Sequence, residues 1–394
     1  MSEICYLDNA ATTKSAPQVV ERMVKSFQQD YFNPSAMYKP GLNEEKAIQA
    51  CKAQLMAAIH AKGDADRRII YTSGGSEGDN LLIRGVLDRK RPSALENGSI
   101  VTTIIEHPAV REVFSDYEKR GVKVIWLPVD EAGFVDPQDL SEVVDEHTLL
   151  VSIMGVNNEL GTFQPLETLG KIIKDHNPDC FFHSDFVQGF MKCPIDVEKA
   201  QLDGVTLCGH KINGPKGIGA VYLREGWPIK PLVFGGGQEH GLRSGTENVQ
   251  GIVGFDEAVK LWESHDVIKR LVQYRRYVEN TLMDTLENVK ILGPQDEEKR
   301  SPAVMSVAIE GVRGEVLLHA CEAKGVYIST GSACSTHKKE KHQVQKAIGL
   351  SPSYIEGTIR ISFSALTTFD EVKQGVEIII GEAQQLRKFA KFIK

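Results

Sequence analysis

From about residue 66 the chain alternates short apolar runs with amphipathic stretches, and this alternation restricts the fold more than any other feature. The apolar runs are RIIYTS, SIVTTII, KVIWLPV, LLVSIMGV, CFFHSDF, GVTLC and GAVYL. Between them stand helix-periodic segments such as EGDNLLIRGVLDRK and PLETLGKIIKDH. A short apolar run suits a strand buried on both faces, and an amphipathic helix is the connection that parallel strands require. The expected fold class is α/β, a mostly parallel sheet covered by helices. GVTLC and GAVYL are separated only by a glycine-rich piece, which predicts an antiparallel hairpin there.

Glycine and proline gather from Gly226 to Gly245 in a long connection of the sort that often serves function. A long helical pattern follows, from about Asn248 to Glu287. AVMSVAIE, GVYISTGSAC and IRISFSA, with helices between them, predict a smaller α+β domain. A chain of 394 residues exceeds the usual size of one core. We expect a large domain over residues 16–254 and a small domain built from residues 1–15 and 255–394.

Forty-six basic against 53 acidic residues leave a formal charge of -7, which gives no reason to expect a nucleic-acid partner. No apolar run approaches the roughly 20 residues needed to span a bilayer, so no membrane partner is expected. MSEICYLDNAATT lacks the pattern of a signal peptide. The seven cysteines are odd in number, scattered and without CxxC pairs, which suggests reduced thiols and a cytoplasmic location.

In open α/β sheets, ligands bind beyond the carboxyl ends of the strands. Five polar clusters follow five predicted strands here: GGSEGDN, EHPAV, NNELG, HSDFVQ and CGHK. The first is a glycine-rich turn entering a helix, whose amides and dipole suit a phosphate. It matches neither GxGxxG nor a P-loop, so a nicotinamide dehydrogenase or a nucleotide triphosphatase is not indicated.

In LCGHKINGPKGIGA, Lys211 stands at a glycine-walled strand end, where a lysine can form a Schiff base with an aldehyde cofactor. Pyridoxal phosphate further needs an acid at its ring nitrogen, for which Asp185 is the candidate. Its phosphate needs a cradle, which Gly74, Gly75, Ser76 and His210 can supply. Strand alternation places Asp185 and Val187 on one face, so Val187 can pack beneath a ring that His107 covers from above. Taken singly, each has an ordinary reading: Asp185 a turn residue, His107 a helix entry before Pro108, Asn158 a cap. Their succession at consecutive strand ends is what favours a site.

The motifs YLDNAATT, TSGGSEGDN, EHPAV, VNNELGTFQP, HSDFVQ, GHKINGPKGIGA, GGGQEHGLRSGTEN, STGSACS and IRISFS together resemble the NifS/IscS-like cysteine desulfurases. That group belongs to the class V branch of fold-type-I pyridoxal-phosphate enzymes. The resemblance implies Lys211 as the Schiff-base lysine, Asp185 as partner of the pyridine nitrogen and His107 as the stacking acid/base. It implies Gln188 and Asn158 near the cofactor's phenolic oxygen, Asn158 also near substrate, and Gly75, Ser76 and His210 at the phosphate. Thr246 resembles a phosphate contact from a second subunit, which implies a homodimer with composite sites. Arg360 resembles the clamp for the substrate carboxylate. Cys334 resembles the nucleophile that takes sulfur from L-cysteine as a persulfide, leaving L-alanine, for delivery to acceptor or scaffold proteins in cluster, tRNA or cofactor thiolation. Its small, polar neighbours predict exposure and mobility.

Three features stand apart. Cys334, His337 and His342 form a C-x2-H-x4-H run close to zinc spacing; it lacks a fourth ligand, and no metal is assigned. Cys208 takes a cofactor-lining position where a serine is usual, and a thiol is a weaker donor. Phe186 follows Asp185 where a small residue is usual and is expected to pack beneath the sheet. Alternatives within the fold are a class V aminotransferase or a selenocysteine lyase; transamination needs no nucleophile such as Cys334. An alternative from another class is a non-catalytic sulfur-relay or assembly partner.

Overall fold

The computed structural model describes residues 4–330 and 342–392. Twelve strands occur among them: β1 (Cys5–Tyr6), β2 (Ile69–Thr72), β3 (Ser99–Thr103), β4 (Lys123–Leu127), β5 (Thr148–Ser152), β6 (Phe181–Asp185), β7 (Gly204–Cys208), β8 (Gly219–Leu223), β9 (Val289–Leu292), β10 (Val304–Ile309), β11 (Val326–Tyr327) and β12 (Thr358–Ser362). The seven apolar runs become β2 to β8, which form one sheet in the order β2-β8-β7-β6-β5-β3-β4. Pairing is parallel from β4 through β7, while β8 runs antiparallel to both β7 and β2. The expected hairpin is therefore present as β7–β8.

The apolar runs are buried on both faces because alternate residues enter different cores. Ile70, Ile100, Leu150, Phe181 and Val221 pack with Val86, Val110 and Phe114, from the Gly75–Leu87 and Pro108–Lys119 helices. Their neighbours Ile69, Val101, Val151, Phe182 and Ala220 enter the opposite core with Val19, Leu55, Leu169 and Phe255. A period-2 chain between two helix layers yields this split directly.

A second, antiparallel sheet has the order β12-β10-β9, and β1 pairs in parallel with β11. Neither β1 nor β9 was apparent in the pattern, because two residues or the half-exposed VKIL give too weak a signal. The single long helix expected from Asn248 to Glu287 is two helices, Val249–Trp262 and His265–Thr285. The break falls at Glu263–Ser264, where Ser264 takes an extended φ/ψ of -70° and 117°. Amphipathic periodicity continues across it, which hides a cap that sequence periodicity does not resolve.

Phe186 is fully buried, as expected, and lies edge-on to Phe163 at 6.3 Å between ring centroids. Two glycines make room for it. A β-carbon on Gly155 would lie 2.1 Å from its Cδ2, and one on Gly189 would lie 2.6 Å from its Cζ. Gly155→Ala is expected to destabilise the protein by about 1–3 kcal/mol through overpacking. Phe186→Ala alone is expected to cost about 3–5 kcal/mol. The double variant should lose less than the two added together, since each change relieves the other. Urea unfolding of the three variants measures this, and strict additivity would contradict the packing.

Candidate active site

The carboxyl ends of β2, β3, β5, β6 and β7 open onto one cavity of about 280 Å³. Its lining includes Gly75 and Ser76 after β2, His107 after β3, Asn158 after β5, and Asp185 at the end of β6. Val187 and Gln188 follow, then Cys208, His210 and Lys211 at the end of β7. Arg360 enters from β12 of the other sheet. Eleven of the proposed residues thus meet in one place. Thr246 is exposed and does not line this cavity. Cys334 and His337 lie outside the described residues; His342 precedes the Gln343–Ala347 helix in a left-handed conformation.

Lys211 Nζ donates to the carbonyl oxygens of Ala10 and Ala11, at 2.5 and 2.7 Å. The N-terminal arm therefore crosses from β1 to cover the lysine, fastened by Thr13 N–H to His210 O and Ala16 N–H to Asn213 O, both 2.9 Å. Asp185 is buried, and its Oδ1 accepts from the Val187 amide at 3.0 Å. Among the described residues, its other oxygen receives no hydrogen bond. Burial pushes the Asp185 carboxyl above the ordinary carboxylate range, while His107, the Val187 amide and Lys211 oppose that rise. Strand alternation does not carry Val187 into the site as expected. β6 stops at Asp185, and Val187 arrives on the following turn.

His107 combines its two readings. It caps the Pro108–Lys119 helix, its Nδ1 accepting from the Ala109 amide at 3.1 Å, and its ring lines the cavity. Burial holds it below its ordinary range, favouring the neutral ring. His210 is likewise held down to about 4, first by burial and then by Lys211, Lys216 and Lys192.

Residues Gly74 to Ser76 open the Gly75–Leu87 helix with no side-chain cap on its first amides. Gly74 has φ 156° and ψ -178°, a conformation essentially restricted to glycine. A β-carbon on Gly75 would sit 2.8 Å from Val187 Cγ2. An adjoining chamber shares Gly75, Ser76 and His210 and adds Lys216. Free helix amides, the Ser76 hydroxyl, the neutral His210 ring and the cationic Lys216 make an anion site.

Arg360 Nη2 pairs with Asp8 at 2.8 Å and Nη1 donates to Asn158 O at 3.0 Å, while its buried Nε has no hydrogen-bond partner among the described residues. Asn157, not Asn158, caps its loop: its Oδ1 accepts the amides of Glu159 and Leu160, both at 2.9 Å. Asp8, Asp79, Glu106, Asn157 and Lys192 escaped the sequence reading. Four of these five adjoin quoted motif residues, and the helical i, i+3 spacing from Ser76 to Asp79 was the one geometric signal available.

A larger cavity, about 700 Å³, lies among Phe134, Phe163, Leu166 and Ile195. It contains none of the strand-end residues, so size alone does not mark the site.

Glu106 ties two walls together: its Oε1 accepts from Thr103 Oγ1 and from the Met154 amide, each at 2.8 Å, and its Oε2 is buried without a partner. Burial pushes this carboxyl from the ordinary 4.5 up to about 8. The folded state therefore holds a proton that the unfolded chain has released. Stability from this group is complete below pH 4.5 and declines as pH rises through about 8. In cofactor-free protein, Glu106→Gln should flatten the fall in unfolding free energy over that window. Chemical denaturation at a series of pH values tests this; an unchanged slope would remove Glu106 as its source.

The chain matches the family described as aminotransferase class-V over residues 5–374. It is 36% identical over 394 residues to the cysteine desulfurase IscS of Dictyoglomus turgidum, covering 100% of this chain and 98% of that one. Among solved structures, a NifS-like protein superposes with a TM-score of 0.88 at 33% identity, covering 97% of this chain and 100% of the other. A structure of SspA in complex with cysteine superposes with a TM-score of 0.79 at 31% identity, covering 92% and 99%.

Proposed function

The chain belongs to the aminotransferase class-V family, among its IscS/NifS-like cysteine desulfurases, and from that premise we propose that it converts L-cysteine to L-alanine using pyridoxal phosphate, with sulfur passing to Cys334. The observation that carries this reading is the meeting of Lys211, Asp185, His107 and Arg360 around one 280 Å³ cavity.

The residues present fit the cofactor. Lys211 supplies the amine that holds its aldehyde. Asp185 offers a buried carboxylate oxygen without a protein donor, matching a protonated ring nitrogen. Gly75, Ser76 and His210 would take the phosphate, with His107 and Val187 about the ring and Gln188, Asn158 and Cys208 at its edge. When bound, the cofactor supplies an electron sink that makes cleavage of the carbon–sulfur bond feasible.

The chain's own groups do the rest. Arg360 binds the substrate carboxylate with a fork already oriented by Asp8 and Asn158. Lys211 Nζ, once exchanged off the cofactor, is the mobile amine that moves protons at the substrate carbons. His107, held neutral, can accept or give a proton at its ring nitrogen. Overall, L-cysteine and the Cys334 thiol become L-alanine and a Cys334 persulfide, with no external oxidant or reductant.

Placement supports Cys334. Thr330 ends the described chain before it, and the preceding Ser329 exchanges backbone hydrogen bonds with Arg360, at 2.7 and 3.1 Å. Cys334 stands four residues further on, a span of at most about 14 Å. The chain resumes at His342, and Gln343 Nε2 donates to Ile104 O at 2.8 Å, beside the His107 loop.

Exposed apolar surface on and between the first two helices, at Val20, Val24, Phe27, Tyr31, Met37 and Tyr38, supports the proposal of a homodimer. Such a patch on a soluble surface marks an interaction site. Thr246, absent from its own cavity, would reach the partner's phosphate site. Free, buried thiols at six cysteines suit a reducing, cytoplasmic setting.

The purified protein should be yellow with pyridoxal phosphate and should yield equal sulfide and alanine from L-cysteine in the presence of a thiol. Cys334→Ala should abolish sulfide release while keeping the colour, and Lys211→Ala should lose both. Unchanged sulfide release from Cys334→Ala would refute the sulfur-carrier assignment; transfer of the amino group of L-cysteine to an added 2-oxo acid, without sulfide release, would favour an aminotransferase. Thr246→Ala should weaken cofactor binding several-fold by equilibrium dialysis; an unaltered affinity would remove it from the site.

A further inference from the structure

Lys192 is 5% exposed and has no carboxylate within ion-pair distance among the described residues. Its Nζ has one hydrogen bond, to Gln188 Oε1 at 3.3 Å. A lysine ammonium is a donor only, so it dictates which end of the Gln188 amide faces it. The other end, Nε2, donates to Ala10 O at 2.8 Å. Ala10 O also accepts from Lys211 Nζ at 2.5 Å. A continuous chain thus runs from Lys192 through Gln188 and Ala10 to the lysine of the site.

Burying an ammonium without a counter-ion is unfavourable, and a lysine of ordinary structural use would pair or reach solvent. The titratable groups facing Lys192 are Lys211 and the thiols of Cys208 and Cys193. Those facing Lys211 include Asp185, His107, Cys208 and His210. Burial first, and Lys211 second, hold Lys192 down to about 7. A cation beside a reactive lysine favours the neutral amine of its neighbour.

We infer that Lys192 is a positioning residue. Its buried amine orients the Gln188 amide with the N–H end toward the cofactor's oxygen edge, and its charge favours the unprotonated form of the Lys211 linkage. The inference rests on the reading of Lys211 as the lysine that holds the cofactor.

The test is a pH titration of the absorbance of the lysine-bound cofactor, with its Kd, in the unsubstituted holoenzyme and in Lys192→Met and Lys192→Gln. Lys192→Met removes both donor and charge. Its titration midpoint should rise by about one pH unit, a tenfold gain in proton affinity, and its Kd should weaken several-fold. Lys192→Gln keeps an N–H donor of similar reach, so its midpoint should rise while its Kd stays near that of the parent; it also serves if Lys192→Met fails to fold. Lower thermal stability with unmoved midpoint and Kd would show a merely structural lysine and overturn the inference. Failure of the unsubstituted protein to bind the cofactor through Lys211 would overturn the cofactor assignment itself, and this inference with it.

Discussion

The ammonium of Lys211 must be satisfied in a largely buried cavity, and two peptide carbonyls of the N-terminal arm do so. Much of the architecture around the site follows from that requirement. The arm can present Ala10 and Ala11 only because β1 is anchored against β11 on one side and Thr13 and Ala16 are bonded to the His210–Asn213 segment on the other. Carbonyls hold the ammonium through hydrogen bonds, which the amine can exchange for a covalent partner at modest cost. An aspartate in their place would bind the ammonium more tightly and make that exchange harder.

The same arm joins the two sheets electrostatically. Asp8 holds Arg360, a residue of β12, at the rim of a cavity otherwise built from the large sheet. Arg360 is also hydrogen-bonded through its backbone to Ser329, just before the segment that contains Cys334. One residue thereby links the rim of the cavity to Ser329. Under the proposed function, movement of the small sheet would shift both together, which would suit a reaction in which a bound carboxylate and an incoming thiolate must meet.

Most of the large sheet was legible in the sequence, because strands buried on both faces must be short and uniformly apolar. The convergence of Ser76, His107, Asn158, Asp185 and Lys211 was legible for a related reason: they follow such strands, and strand ends in a parallel sheet share one edge. Val187 shows where the argument fails. Alternation applies only while the strand continues, and β6 ends one residue too soon. Lys192 and Glu106 stayed hidden because their significance is burial of an ionisable group with, among the described residues, no ion-pair partner, which depends on long-range packing. Asp8 was hidden because its partner Arg360 lies 352 positions away. The helix break at Ser264 went unseen because neither glycine nor proline marks it in the sequence.

Cys208 sharpens the assignment of chemistry among the cysteines. It lines the cavity, so position alone would make it a rival acceptor of sulfur. Burial, however, pushes its thiol up to about 11, against the opposing pull of Lys211 and Lys192. Cys5, Cys51, Cys180, Cys193 and Cys321 are each pushed up to about 12 for the same leading reason. The nucleophile in sulfur transfer is the thiolate, and at neutral pH all six remain thiols. The seventh cysteine, Cys334, is the one whose surroundings in sequence are small and polar. Under the proposed function, Cys208 would stand at the cofactor's edge as a neutral group of low polarity. A thiol is a weak donor, so more of the anchoring would fall to Ser76, His210 and the helix amides beside the glycine turn.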